Sequence, residues 1–202
     1  MMQMIRRLST ALLLATALFA TAAHAQQAPD ALVKSVSQDV LDTARSDPKV
    51  QAGDAARIRE VVEAKLAPHF DFTHMTMLAM GRNWQKASPA QQAELTTQFK
   101  TLLVHTYAGA LSKYRDEKIE YKPLAPNPSA TDVTVKTQVI KSGGGAPVPI
   151  DYSLAKTADG WKAYDIIVAG VSLVTNYRDE FNEQIRNGGV DGLIKTLKAK
   201  NG

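Results

Sequence analysis

The stretch Trp161–Phe181, WKAYDIIVAGVSLVTNYRDEF, decides the fold, because two structural periods meet inside it. It begins as a strand. Tyr164, Ile166, Ile167 and Val168 break the strict alternation of a strand with one wet face, so both faces call for apolar cover. From Ser172, a helix N-cap residue, the period lengthens: Val174, Tyr177, Phe181 and Ile185 recur at helical spacing, and Gly188-Gly189 stops the run. A last short helix carries Leu193, Ile194 and Leu197.

Upstream of Trp161 the period is two. Ile119 and Tyr121 alternate, as do Val133, Val135, Thr137 and Val139, and then Ile150, Tyr152 and Leu154. The links PLAPNPSAT, SGGGAP and ADG are turn chemistry. Four consecutive strands with short links predict an antiparallel meander over residues 117–168.

Before Arg115 the period is helical. Val33, Val36, Val40 and Ala44 share a face over residues 29–46, and DPKVQAGD breaks that helix. Asp54 caps a second helix with Ile58, Val61, Val62 and Leu66, and Pro68 ends it. Asp71 caps a short third helix stopped at Gly81. Ser88, Pro89 and Gln91 form a capping-box start for a long helix to Tyr114, striped with Leu95, Phe99, Leu102, Leu103, Tyr107 and Leu111. Helices over 29–115, a sheet over 117–168 and helices over 172–200 predict one α+β domain, residues 26–202, with helices packed on one face of a curved antiparallel sheet.

The first 25 residues read as a leader. Arg6 and Arg7 precede the apolar run LSTALLLATALFATAA, and AHA at Ala23–Ala25 is a small-x-small cleavage site. The run is shorter than the roughly 20 residues of a membrane span. Cleavage after Ala25 places the mature chain in the bacterial periplasm, and no cysteine follows the run to take a lipid anchor. Loss of the two leader arginines lowers the net charge from +4 to +2, so there is no basic patch for nucleic acid.

The chain has no cysteine, which removes disulfides, thiol nucleophiles and thiolate metal sites together. His69, Asp71 and His74 are too few for a metal site and read as a cap and surface histidines. His105 is alone. No nucleophile elbow, zinc-binding helix or phosphate loop is present, and SGGGAP lies between strands as a hairpin loop. Asp165, among apolar strand residues, reads as a structurally paired carboxylate, with a raised-pKa base as the sharper alternative. Met75, Met77, Leu78 and Met80 sit close in sequence to Phe70, Phe72 and Trp84. That composition suits core packing or a wall facing a flexible apolar ligand.

Two blocks resemble the MlaC family. One is FDFTHMTMLAMGRNWQKASPAQQAELTTQFKTLLVHTYAGALSKY, with Gly81, Trp84 and the following SPAQQ. The other is VPIDYSLAKTADGWKAYDIIVAGVSLVTNYRDEF. The resemblance spans about Ala31 to Lys198. It implies a periplasmic phospholipid-binding protein of the ABC-type system that maintains outer-membrane lipid asymmetry; some members are called toluene-tolerance proteins. It implies an outline similar to the NTF2 class, an apolar cavity between sheet and helices that holds acyl chains, no catalysis and no cofactor. The partners it implies are phospholipid, an outer-membrane lipoprotein complex and an inner-membrane ABC transporter complex.

On that expectation the lining from the sheet is Val133, Val135, Val139, Ile150, Tyr152, Tyr164, Ile166 and Val168. The helices and the turn before the last one add Met75, Leu78, Leu103, Tyr107, Leu111, Val171, Val174 and Tyr177. Strand parity leaves open which face of the fourth strand points inward. Lys113, Arg115, Lys162 and Arg178 are candidate cations at a headgroup rim. Trp84 and Trp161 read as packing anchors. An NTF2-like enzyme with Asp165 as general base and a lipid-free envelope adaptor are the competing readings.

Overall fold

The structure is a computed structural model that describes residues 27–113, 116–125 and 127–202. The leader with its cleavage site and Arg115 lie outside the described residues, as do the side chains of Leu111 and Ser112.

Helix α1 (Pro29–Ser46) is followed by the short α2 (Pro48–Gln51) and by α3 (Ala55–Val61). The turn read from DPKVQAGD thus holds a helical turn of its own, because the Asp47 side chain accepts from the Lys49 and Val50 N–H groups ahead of Pro48. Asp54 caps α3 through the Arg57 N–H at 2.9 Å. After Val61 the chain loosens into a π turn, Val62–Leu66, then a 3-10 turn, Ala67–His69.

Asp71 caps α4 (Phe72–Met80) by accepting from the His74 N–H, and Gly81, at φ 54, ends it. A 3-10 turn, Gly81–Lys86, leads to Ser88 and Gln91, which exchange both bonds of a capping box. Helix α5 (Pro89–Tyr107) buries Leu95, Phe99, Leu102, Leu103 and Val104. It ends earlier than the periodicity predicts, and α6 (Ala110–Lys113) follows as a separate turn.

The meander runs β1 (Lys118–Tyr121), β2 (Asp132–Ile140), β3 (Val148–Thr157) and β4 (Gly160–Val168), each antiparallel to the last. A fifth strand corrects the four-strand expectation: β5 (Val171–Ser172) folds back on Ile167 and Val168. Two residues carry no periodicity, so nothing in the pattern announced it. Helix α7 (Leu173–Asn201) closes the chain, capped by Ser172 and broken at Gly189, whose φ of 68 is not helical. Gly189 thus divides α7 into two helical runs, at the stop expected from Gly188-Gly189 and with the expected short last helix after it.

The β4–β5 turn is Ala169-Gly170. Both have positive φ, 50 and 84, as a two-residue type I′ hairpin turn requires. An alanine there holds its Cβ against the carbonyl oxygen at a cost of about 1–2 kcal/mol. Ala169→Gly is expected to stabilise the protein by about 1 kcal/mol net of glycine's extra unfolded-state entropy, and to raise Tm by about 2–4 °C in a thermal melt.

Three apolar clusters form the interior. The first joins α4, α5 and α7 around Phe99, Phe181, Met75 and Leu95. The second joins α1, α2, α3 and the end of α5 through Ala44, Val50, Ile58, Val61, Val62 and Val104. The third seals α1 on the sheet, Val33 meeting Val135, Leu154, Trp161 and Ala163. Trp161 is thus a packing anchor, 9% exposed.

Candidate functional site

The register settles which face of β4 points inward. Antiparallel partners share a face. Val133 pairs Leu154, Val135 pairs Tyr152, Thr137 pairs Ile150, and Ile150 and Tyr152 pair Val168 and Ile166. On β4 the register slips opposite Ser153/Leu154, so that Ala163 and Asp165 are matched to consecutive residues and Tyr164 is the extra one. This bulge is why alternation fails in the opening stretch. Trp161 and Ala163 point inward before it, Ile166 and Val168 after it.

Where the three clusters meet they leave an apolar hollow of about 140 Å³. Val62, Leu66 and Ala67 come from the π and 3-10 turns, Phe70, Phe72 and Met75 from the approach to α4 and its first turns. Leu103, Val104, Tyr107 and Ala108 come from the end of α5, Ile166 from the inward face of β4, and Leu173 from the start of α7. None of these side chains is charged. Tyr107 stands at its edge, 40% exposed. Burial of the hydroxyl, with Tyr177 beside it, pushes the Tyr107 pKa up to about 12, so the group stays a neutral donor throughout the physiological range.

Four of the expected lining residues, Met75, Leu103, Tyr107 and Ile166, meet in this hollow. Leu111, whose side chain lies outside the described residues, is not placed; the others lie elsewhere. Val174 and Tyr177 are buried in the helical core, and Leu78 packs against it. Val135, with Val133 and Tyr152, packs beneath α1. Val139, Ile150 and Val168 are half-buried on the same inward face, beyond Ile166. Tyr164 stacks on His74 with ring centroids 4.4 Å apart and donates its hydroxyl to Asp132. Val171 is 58% exposed at the β4–β5 hairpin. Lys162 donates to the Pro68 carbonyl beside His69, in a separate open groove near Trp161. Arg178 donates to the Leu78 carbonyl, and Lys113 is exposed on α6.

Sequence reasoning missed Val62, Leu66, Ala67, Val104, Ala108 and Leu173. The signal for the first three lay in Pro68, whose ring and missing N–H interrupt the i→i−4 ladder of the preceding helix.

Asp165 is committed to structure. It is 9% exposed, and alternation from Ile166 puts it on the sheet's other face. One carboxylate oxygen accepts from the Ser172 hydroxyl at 2.5 Å, the other from the buried Val174 N–H at 3.2 Å. Ser172 in turn accepts the Thr175 N–H, so the pair ties β4 to the start of α7. Asp165→Ala orphans the Val174 N–H and is expected to cost about 2–3 kcal/mol in denaturant unfolding. Asp165→Asn, which keeps one acceptor, should cost less than half as much.

Among the described residues no group of three or more His, Cys, Asp or Glu side chains is placed to hold a metal ion. Among the described residues no helix is long and apolar enough to cross a membrane.

The chain matches the family model described as MlaC protein over residues 34–199. It is 21% identical over 178 residues to the intermembrane phospholipid transport system binding protein MlaC of Haemophilus influenzae, covering 87% of this chain and 83% of that one. It is 26% identical over 196 residues to the toluene tolerance protein ttg2D of Pseudomonas putida, covering 96% and 89%. A phospholipid-binding protein from Ralstonia solanacearum, solved in complex with a phospholipid, is 39% identical, with a TM-score of 0.79 over 85% of this chain and 96% of that one.

Proposed function

The chain belongs to the MlaC protein family, and from that premise we propose that it is a soluble periplasmic phospholipid carrier. It holds acyl chains in the hollow between sheet and helices and shuttles lipid between an outer-membrane lipoprotein complex and an inner-membrane ABC transporter complex, maintaining the asymmetry of the outer membrane. The observation that carries this reading is the hollow itself. It is apolar on every side, and it lies where sheet and helices fail to close on each other.

The size of the hollow adds a requirement. At about 140 Å³ it matches the engineered apolar cavities of about 150 Å³ that take one benzene, so it accommodates roughly six carbons of a tail. A pocket for a larger ligand runs from about 300 Å³ upward. Loading therefore widens it, and its walls suit that. Val62 and Leu66 sit on a π turn, a rare element frequent at functional sites, followed directly by a 3-10 turn. Along the sheet, the half-buried Ile150, Val168 and Val139 extend the apolar face past Ile166, and they line the path of a longer tail.

Energetics favour a carrier of this kind. Each methylene kept from water is worth about 0.8 kcal/mol, so tails cannot cross water bare. A lining that merely matches the bilayer lets transfer run with a small free-energy difference. It needs apolar surface and no chemical step.

Native mass spectrometry of gently purified protein tests the proposal. The expected result is a phospholipid mass added to the chain, released by organic solvent. Protein that emerges empty from cells rich in phospholipid, and stays empty when incubated with vesicles, overturns it. The same spectrum reports the mature start, expected at Gln26.

A further inference from the structure

Charge is divided unevenly over the fold. Residues 72–113 and 172–202, which build α4, α5, α6 and α7, carry nine basic and five acidic side chains. Residues 27–71 carry six basic and eight acidic ones. Many cations are answered by a neighbour: Arg57 by Asp47 and Glu60, Lys65 by Asp39, Lys100 by Glu63, Lys198 by Glu94.

Others stand singly on the surface, and one corner gathers three of them. The Asn83 side-chain amide donates to Asn182 at 2.8 Å, pinning the Gly81–Lys86 turn to α7. Lys86 donates to the same Asn83 at 2.9 Å. Arg82 adjoins Asn83 in sequence, and Arg186 lies one helical turn beyond Asn182 on the same face. Arg82, Lys86 and Arg186 are all exposed, and none has an ion-pair partner among the described residues. Trp84 is half-buried beside them, packed on the helical core.

We propose that this corner docks the protein on an anionic phospholipid surface. Each basic residue near such a surface contributes modestly, and together they give reversible binding of the kind polybasic patches show. A tryptophan half-buried next to cations is the pairing that suits the headgroup level of a bilayer. A specific protein interface draws most of its binding energy from a few anchors buried on contact, and it favours a fully exposed apolar or aromatic side chain at its centre. Among the described residues the exposed large hydrophobic side chains are Met77, Tyr107 and Val171, and none of them belongs to this corner. The inference does not rest on the carrier reading, since the corner is separate from the hollow.

The test is co-sedimentation of the full mature chain with vesicles of phosphatidylcholine alone and of phosphatidylcholine mixed with phosphatidylglycerol. Binding is expected to the mixed vesicles only, and to vanish at high salt. The triple variant Arg82→Gln, Lys86→Gln, Arg186→Gln should partition about a hundredfold less. The control triple Lys34→Gln, Arg59→Gln, Lys156→Gln, exposed cations elsewhere, should bind like the native chain. Thermal melts confirm that both triples fold. Native-like binding by the first triple, equal loss in both, equal binding of the native protein to both vesicles, or its binding to neither would overturn the proposal, the last outcome leaving an acidic protein as the occupant. Bound lipid is measured on the same variants and is expected unchanged, so this proposal and the carrier reading can fail separately.

Discussion

Replacing Phe99 by alanine is expected to destabilise the protein by about 4 kcal/mol. Phe99 is fully buried in the middle of α5. Its ring meets Tyr177 and Phe181 edge to face, both at centroid distances of 5.0 Å. Removing it forfeits the burial of the ring, leaves a void that α4 and α7 cannot close, and deletes two aromatic contacts worth about 0.5–1.5 kcal/mol each at best. A chain of this size shifts by about 2–4 °C per kcal/mol, so Tm should fall by roughly 10–15 °C. Phe99→Leu should lose less than half as much, and Thr97→Ala, exposed on the same helix, close to nothing. A fall of under about 1 kcal/mol in Phe99→Ala would mean that the helical core repacks freely around the site.

That core was legible because its period is unambiguous. Leu95, Phe99, Leu102 and Leu103 on α5 face Val174, Tyr177 and Phe181 on α7, and both sets stand at helical spacing behind recognisable caps. The meander was legible for the same reason, since alternation and turn residues leave few other arrangements. The hollow was less so. Periodicity says which face of an element is apolar and says nothing about where two apolar faces fail to meet. Val62 and Leu66 satisfy a helical stripe whether the turn beneath them is α or π. Only the widened π geometry, followed by the 3-10 turn at Pro68, brings both to the wall. Ala67 and Ala108 line the gap through being small, a property that composition cannot distinguish from ordinary helix formation. On the sheet, one extra residue at Tyr164 resets the parity of β4, so residues two apart on either side of it no longer share a face.

Because of that reset, Ile166→Asp is expected to abolish lipid retention while Ile167→Asp spares it. Ile166 faces the hollow, whereas Ile167 pairs Asp151 and Ser172 and lies on the sheet's other face. A carboxylate at 166 would sit against acyl carbons with no cation and no polar side chain but Tyr107 in the lining. With lipid bound it would be stripped of water, which costs several kcal/mol for an unpaired ion. The tail segment it displaces, roughly six carbons, contributes about 4–5 kcal/mol of burial. Loss of either amount lowers affinity by about a thousandfold or more, enough to empty the protein during purification. The readout is lipid phosphorus per chain, together with a thermal melt. The empty Ile166→Asp protein can keep its carboxylate wet through the mouth beside Tyr107, so it should still fold. Should it prove too unstable to isolate, Ile166→Trp makes the same test by filling the hollow, with retention expected to fall and Tm to hold or rise. Equal loss of lipid from the substitutions at 166 and 167 would contradict the register across the bulge. Full retention in both would place the tails elsewhere on the sheet.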